Sequence, residues 1–175
     1  TQANQSDKAV AVYRRYIASF PKPLDVAIET RFKIAGLLKA RNDAAGHEAE
    51  LKAIVSADAA GGKDRTDRTR YLGASSLLIL TEPVFEQYAQ IKLVEPFDKN
   101  LAKKKTALKQ VKDGFEAILS YEIGETTAAA SYYLAEMYYD FNRSLTESQR
   151  PGNLNAQEKE QYELALEEQA FPFEE

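Results

Sequence analysis

Residues 13–21 read Tyr-Arg-Arg-Tyr-Ile-Ala-Ser-Phe-Pro, and this stretch decides the fold. Ala9, Tyr13 and Tyr16 follow one another at steps of four and three residues, which places them on one face of an α-helix. Pro21 comes five residues after Tyr16 and ends the helix, because the residue before a proline disfavours helical backbone. The stretch therefore predicts an amphipathic helix that ends before Pro21.

The composition extends this prediction to the whole chain. The 175 residues include 26 alanines but only 8 glycines and 6 prolines. Glycine and proline are too few to punctuate a sheet protein, and no segment of strand length alternates apolar and polar residues. The sequence therefore predicts an all-α protein that forms a single domain over residues 1–175. Because the chain begins at Thr1 and not at a methionine, we expect it to be excised from a longer repeat protein.

Several classes of function are disfavoured by what the sequence lacks. The absence of cysteine excludes disulfides, thiolate metal sites and cysteine nucleophiles. His47 is the single histidine and stands between Gly46 and Glu48, where we expect a surface turn residue and not a catalytic base. We expect no metal, no cofactor and no enzymatic activity. The net charge of -4 argues against nucleic acid as a partner, and no apolar run approaches the roughly 18 residues of a membrane span.

Two segments carry clustered positive charge. In residues 63–70 three arginines alternate with Asp64 and Asp67, and we expect a solvated loop in which these aspartates are the partners of the arginines. Residues 99–112 contain six lysines, which favour a solvated helix face; contact with a polyanion or an anionic membrane is the alternative.

The C-terminal half is predicted to contain one long helix. Residues 81–83 read Thr-Glu-Pro, which is typical of a helix start. Pro96 follows, but the apolar spacing of three and four residues continues past it, with Lys104 as the only polar residue in the stripe. We therefore predict one helix from about Pro83 to Tyr121, kinked at Pro96, with a break near Glu95 as the alternative. The stripe consists of Val94, Phe97, Leu101, Leu108, Val111, Phe115 and Ile118.

A tyrosine-rich helix is predicted after Gly124. Its apolar residues surround the helix almost completely, so that Tyr133 and Met137 fit a core while Tyr132 and Tyr139 lie on the opposite face. These two rings need either a neighbouring helix or a partner to cover them. Both readings stay open, since tyrosine is also frequent among the residues that anchor protein interfaces.

A bulky residue followed by a small one recurs along the chain. Ile34-Ala35 is followed three residues later by Leu38, and Leu134-Ala135 is followed by Tyr138; Leu72-Gly73 is followed by Ser76, which breaks the pattern. Together with residues 9–21, these spacings resemble the two helices of a tetratricopeptide repeat. The run 13–21 is most similar to the repeats of bacterial cell-envelope proteins, including outer-membrane assembly lipoproteins. The match covers residues 6–58, part of 66–90, and 126–142.

This resemblance implies an array of helical hairpins, an α-solenoid fragment, whose function is to bind a protein or peptide segment. In the family, the first helix of each repeat lines the binding groove. The corresponding positions here are Glu29, Phe32, Gly36 and Lys39 in one repeat, and Tyr132, Glu136, Tyr139 and Arg143 in the other. The lysine/asparagine clamp that some members use for a C-terminal carboxylate is absent from these positions. The resemblance also implies a periplasmic or cell-envelope location, with the cytoplasm as the alternative.

A structural role is the second functional hypothesis. The chain would then be a spacer or an oligomerisation segment of a long repeat protein and would self-associate through its ends. Phe171 and Phe173 are the apolar residues that suggest such contacts near the C-terminus.

Overall fold

A computed structural model describes residues 2–152 and 154–170 of the protein. Its elements, in chain order, are α1 (Gln2–Ser19), α2 (Leu24–Ala40), α3 (Ala44–Ala59), a single 3₁₀ turn (Gly62–Asp64), α4 (Asp67–Ala89), α5 (Phe97–Leu119), α6 (Gly124–Thr146) and α7 (Ala156–Ala170). These two described ranges contain no strand. The prediction of an all-α protein is therefore confirmed.

The chain divides into two compact units. The first comprises residues 1–80 and 118–127, and the second comprises residues 81–117 and 128–175. Helices α4, α5 and α6 each contribute residues to both units.

Helix α2 is buried on two sides in the first unit. On one side, Ala27, Ile34 and Leu38 pack against Val10 and Ile17 of α1. On the other side, a second cluster joins α2 to α3 and α4; its buried members are Ile28, Ala35, Leu51, Ile54 and Leu72. The small side chain of Ala35 is 1% exposed, which is consistent with close approach between helices. The helix predicted from residues 9–21 is present, since α1 ends at Ser19, before Pro21.

Aromatic rings fill much of the core of the second unit. The ring of Phe85 on α4 lies 5.2 Å from that of Tyr133 and 6.4 Å from that of Phe115, in both cases edge to face. Phe115 on α5 stacks on Tyr133 on α6, with 4.9 Å between the ring centroids. These rings therefore connect three helices without tryptophan, as the ten tyrosines and eight phenylalanines of the sequence allow.

The predicted long kinked helix is wrong, and the alternative of a break near Glu95 is what the chain adopts. Helix α4 ends at Ala89, residues 90–96 form a loop, and α5 begins at Phe97. Pro96 disfavours helical backbone at residue 95. The side-chain amide of Asn100, in the first turn of α5, donates to the carbonyl of Val94 over 2.9 Å and so gives this loop carbonyl a hydrogen-bond donor. Val94 is 42% exposed and does not belong to a buried stripe.

The helix start predicted at residues 81–83 is also wrong. Helix α4 begins at Asp67, and Pro83 lies inside it. Proline lacks the N–H that would bond to the carbonyl four residues earlier, so the helix loses one hydrogen bond there. Burial of Leu72 and Tyr88, one before and one after the proline, favours a continuous helix through this position.

Candidate functional site

Four residues that the resemblance assigned to a groove lie along one face of α6. Tyr132, Glu136, Tyr139 and Arg143 follow one another at steps of four, three and four residues, and we call this set the α6 face. Tyr132 is 60% exposed and Tyr139 is 61% exposed. On the opposite side of the same helix, a second set is buried, consisting of Met137, Phe141 and Leu145. Within the part of the chain that the structure describes, both tyrosines thus remain largely uncovered.

Neighbouring side chains hold the two exposed tyrosines in place. The guanidinium carbon of Arg143 lies 5.7 Å from the centroid of the Tyr139 ring, within the range of a cation–π contact. The ring of Tyr132 meets that of Tyr133 edge to face at 5.6 Å, and Tyr133 belongs to the aromatic core. The α6 face therefore presents aromatic groups with restricted freedom, which lowers the entropy lost on binding.

A groove of about 370 Å³ adjoins the α6 face within the second unit. One wall is the loop after α4, where Ile91, Leu93 and Val94 are the apolar lining residues. The other wall is the C-terminal half of α6 together with the three residues that follow this helix. The backbone N–H of Gln149 donates to the carbonyl of Leu93 over 3.3 Å and ties the two walls together. The polar lining residues are Lys92, Asp140, Arg143, Ser144, Glu147, Ser148 and Gln149. The volume is sufficient for a few side chains of a bound segment.

A buried ion pair supports this groove. The side chain of Lys104 on α5 is fully buried, and its Nζ donates to Asp140 Oδ2 over 2.7 Å and to the carbonyl of Ile91 over 3.0 Å. The same Nζ lies 4.4 Å from the centroid of the Tyr88 ring. The second oxygen of Asp140 accepts from Arg143 over 3.2 Å. The pair thus links α5, the loop after α4, and the residue of the α6 face that contacts Tyr139.

The phenol of Tyr88 makes the stability of the second unit depend on pH in the alkaline range. Tyr88 is fully buried and its hydroxyl donates to the carbonyl of Met137 over 2.8 Å. Burial raises the pKa of Tyr88 well above its ordinary value, and the nearby carboxylate of Asp140 raises it further. The folded protein therefore keeps this proton at a pH where the unfolded chain loses it.

We therefore expect Tyr88 to contribute stability that is present below about pH 10 and is lost as the pH rises above that value. One retained proton changes the free energy of unfolding by at most about 1.4 kcal/mol per pH unit. Urea denaturation followed by circular dichroism between neutral and alkaline pH should show a shallower decline for Tyr88→Phe than for the wild type. Parallel declines would contradict this assignment.

The four α2 positions of the predicted groove lie in the first unit, and two of them are engaged within the chain. The carboxylate of Glu29 accepts two hydrogen bonds from Arg68 on α4, over 2.8 and 2.9 Å, and these bonds lower the pKa of Glu29. Phe32 packs against the cluster that includes Leu72. Gly36 and Lys39 are exposed. On α2, therefore, the second half of the predicted face is the more exposed.

The arginines of residues 63–70 do not use the partners expected from the sequence. Arg65 binds Asp58 of α3 through two hydrogen bonds, Nε over 3.2 Å and Nη2 over 2.7 Å. Arg68 binds Glu29, as described above, and Asp64 binds Lys22 instead. The expectation of local pairs with Asp64 and Asp67 is therefore wrong for these two arginines. Asp58 lies seven residues before Arg65 on α3, and Glu29 lies 39 residues before Arg68 on α2.

Sequence reasoning missed the buried carboxylate of Asp58 altogether. Asp58 is fully buried, and the guanidinium carbon of its partner Arg65 lies 5.6 Å from the centroid of the Tyr121 ring. Gly73 on α4 leaves the space for this arrangement: a Cβ there would lie 2.9 Å from the Tyr121 ring and 3.2 Å from the Asp58 carboxylate. The signal available in the sequence was Gly73 itself, a glycine inside a predicted helix.

The remaining sequence candidates for chemistry do not assemble into a site. His47 lies in the first turn of α3, half-buried, with Nδ1 2.9 Å from the carbonyl oxygen of Ala35 on α2. Among residues 2–152 and 154–170, no group of three or more histidines and carboxylates is arranged to hold a metal ion. No helix in those ranges is long and apolar enough to cross a membrane. Phe171 and Phe173 lie outside the described residues.

Comparison with known proteins yields no relative: no family model, no curated protein and no solved structure matches this chain.

Proposed function

We propose that this protein is a non-catalytic scaffold that binds a protein or peptide segment on the α6 face. The observation that carries the proposal is the exposure of Tyr132 and Tyr139 on a helix whose other side is buried. Removing apolar surface from water contributes roughly 25 cal/mol per Å², so a partner that covers two tyrosine rings gains appreciable free energy. Buried tyrosines are also among the residues that contribute most to protein interfaces.

The proposed binding mode uses the groove beside the α6 face. An apolar side chain of the partner enters the groove beside Ile91 and Val94, while the partner backbone crosses the ring of Tyr139. Glu136 and Arg143 carry opposite charges along the same face and set the direction of the bound segment. Such rim charges determine orientation and association rate more than affinity.

We further propose that the helices form a hairpin array of tetratricopeptide type. The packing of α2 between α1 and α3, and the buried small residue Ala35 between bulky neighbours, support this proposal. A location in the bacterial periplasm or cell envelope is proposed on the resemblance of residues 13–21 alone.

The test begins with peptides selected from a random library displayed on phage against the immobilised protein. The affinity of the selected peptides is then measured by fluorescence anisotropy for the wild type and for Tyr132→Ser/Tyr139→Ser. Each lost ring should cost about 1–2 kcal/mol, so the double variant should bind roughly 30-fold to 1,000-fold more weakly.

The matched control for this experiment is Tyr16→Ser, which removes another exposed tyrosine, from α1. We expect the control to bind the selected peptides as the wild type does, and all three proteins to show the same helix content by circular dichroism. Peptides that bind the double variant with unchanged affinity would refute the α6 face as the binding site.

The second candidate function is that of a spacer or an oligomerisation segment. The observation in its favour is that α1 and the residue after it also expose large apolar side chains; these are Val12, Tyr16 and Phe20.

A further inference from the structure

Helix α1 carries an apolar stripe that nothing in the described chain covers. Val12 and Tyr16 on α1 and Phe20, directly after its last residue, are 51%, 41% and 57% exposed. The backbone N–H of Phe20 donates to the carbonyl of Tyr16 and continues the helical turn, so the spacing of four residues places the three side chains side by side; we call them the α1 stripe. The rings of Tyr16 and Phe20 are in contact, with 5.4 Å between centroids. Three contiguous large side chains form a patch, which is a stronger sign of an interaction surface than single exposed residues.

The border of the α1 stripe is positively charged. Lys8 and Arg15 are exposed and lie four residues before Val12 and three residues after it, so both border the same face. Two other charged residues of α1 are already engaged: Arg14 binds Glu50 over 3.0 Å, and Asp7 binds Arg41. The free charge beside the stripe is therefore basic.

Helix α7 carries a surface of complementary character. Leu164 is 55% exposed, whereas Leu166 is 3% exposed on the opposite side of the helix. Three exposed carboxylates surround Leu164, and together with it they form what we call the α7 face; they are Glu160, Glu167 and Glu168. Glu163 is not among them, because Arg150 binds it over 2.7 Å.

We propose that the α7 face of one copy of this chain docks on the α1 stripe of a second copy, head to tail. Leu164 packs on the apolar stripe, while the carboxylates of the α7 face meet Lys8 and Arg15. Like faces do not pair, because two α1 stripes would bring cations together and two α7 faces would bring carboxylates together. The contact therefore joins two different surfaces, the α7 face of one copy and the α1 stripe of the other.

The expected association is weak. One helix against one helix buries less surface than a standard protein interface, so a dissociation constant on the order of 10⁻⁴ M is expected. Because the contact is weak, the average mass should rise with protein concentration in the range of this dissociation constant. Charges at an exposed interface are screened by salt, so added salt should shift the population toward the monomer.

Two variants that each disable one surface test this arrangement. Val12→Glu/Tyr16→Glu removes the α1 stripe and keeps the α7 face, and Leu164→Lys/Glu168→Lys does the converse. Sedimentation velocity should give an average mass above 19.6 kDa for the concentrated wild type, and the monomer mass for each variant alone. An equimolar mixture of the variants should form a pair with twice the monomer mass and grow no further, because only one working contact is available.

The same measurements define the outcomes that would contradict the proposed contact. The proposal is overturned if the wild type stays monomeric, or if the mixture stays monomeric while circular dichroism shows that both variants fold. Association of the α7 variant alone would show an α1–α1 contact, and association of the α1 variant alone would show an α7–α7 contact; either overturns the head-to-tail arrangement. Tyr132→Ser/Tyr139→Ser should associate like the wild type, because this inference does not depend on the α6 face.

Discussion

Replacing Lys104 with methionine should lower the free energy of unfolding by about 3–5 kcal/mol. The substitution keeps an unbranched side chain that suits an apolar core, so its cost is electrostatic. Asp140, whose side chain is only 13% exposed, would lose the closer of its two cationic partners. The carbonyl of Ile91 would lose the Nζ donor as well. Urea denaturation followed by circular dichroism measures the difference.

Two further variants decide whether the buried charge is the cause. Lys103→Met removes the neighbouring exposed lysine and should leave stability nearly unchanged, because surface substitutions have small effects. Lys104→Met/Asp140→Leu removes both charges and should recover much of the loss, since an apolar pair can replace a buried ion pair at little cost. If Lys104→Met is no more harmful than Lys103→Met, the ion pair does not stabilise the second unit.

The sequence shows Lys104 as an anomaly but does not show its partner. A lysine inside an apolar stripe is visible from spacing alone. Its carboxylate, however, is 36 residues away on α6, and its carbonyl acceptor lies in the loop after α4. Both partners depend on the break between α4 and α5, which the periodicity of the sequence concealed. A wrong helix boundary therefore prevented recognition of the ion pair.

The end of a helix was predicted correctly where packing does not oppose the local effect of proline, and the helix boundary was predicted wrongly where packing does oppose it. Pro21 ends α1, in agreement with the local rule. Pro83 does not begin a helix, because buried residues on both sides of it favour a continuous α4. Local backbone preferences amount to a few kcal/mol, and burial of several apolar side chains exceeds them.

For the α6 face, too, helical periodicity predicts which residues share a face, whereas tertiary packing decides which of them are covered. Helical periodicity alone places Tyr132 and Tyr139 opposite Met137, and this placement is confirmed. Whether another helix covers the two rings depends on tertiary contacts, and the sequence left both answers open. On α2 the equivalent spacing is equally regular, yet Glu29 and Phe32 are engaged by α4.

Replacing Arg65 with alanine should destabilise the first unit by about 3 kcal/mol, more than replacing its partner Asp58 does. The two ends of this ion pair differ in exposure. The Asp58 side chain is fully buried, whereas the Arg65 side chain is 34% exposed. Removal of Arg65 leaves a buried carboxylate without a cation, and the nearby phenol of Tyr121 is the weaker partner that remains. Removal of Asp58 leaves a guanidinium that can turn into water.

A double-mutant cycle separates this asymmetry from a simple loss of packing. Arg65→Ala/Asp58→Ala removes both charges and should be less destabilised than Arg65→Ala alone, although it deletes more atoms, because no charge remains buried. Lys22→Ala, which breaks the exposed pair with Asp64, serves as the control and should leave the unfolding curve unchanged. If the double variant is the least stable of the set, packing around Gly73 outweighs the charge of Asp58. If Asp58→Ala unfolds at a lower urea concentration than Arg65→Ala, the predicted order is contradicted. Such a result would mean that the Asp58 carboxylate is better solvated than its complete burial allows.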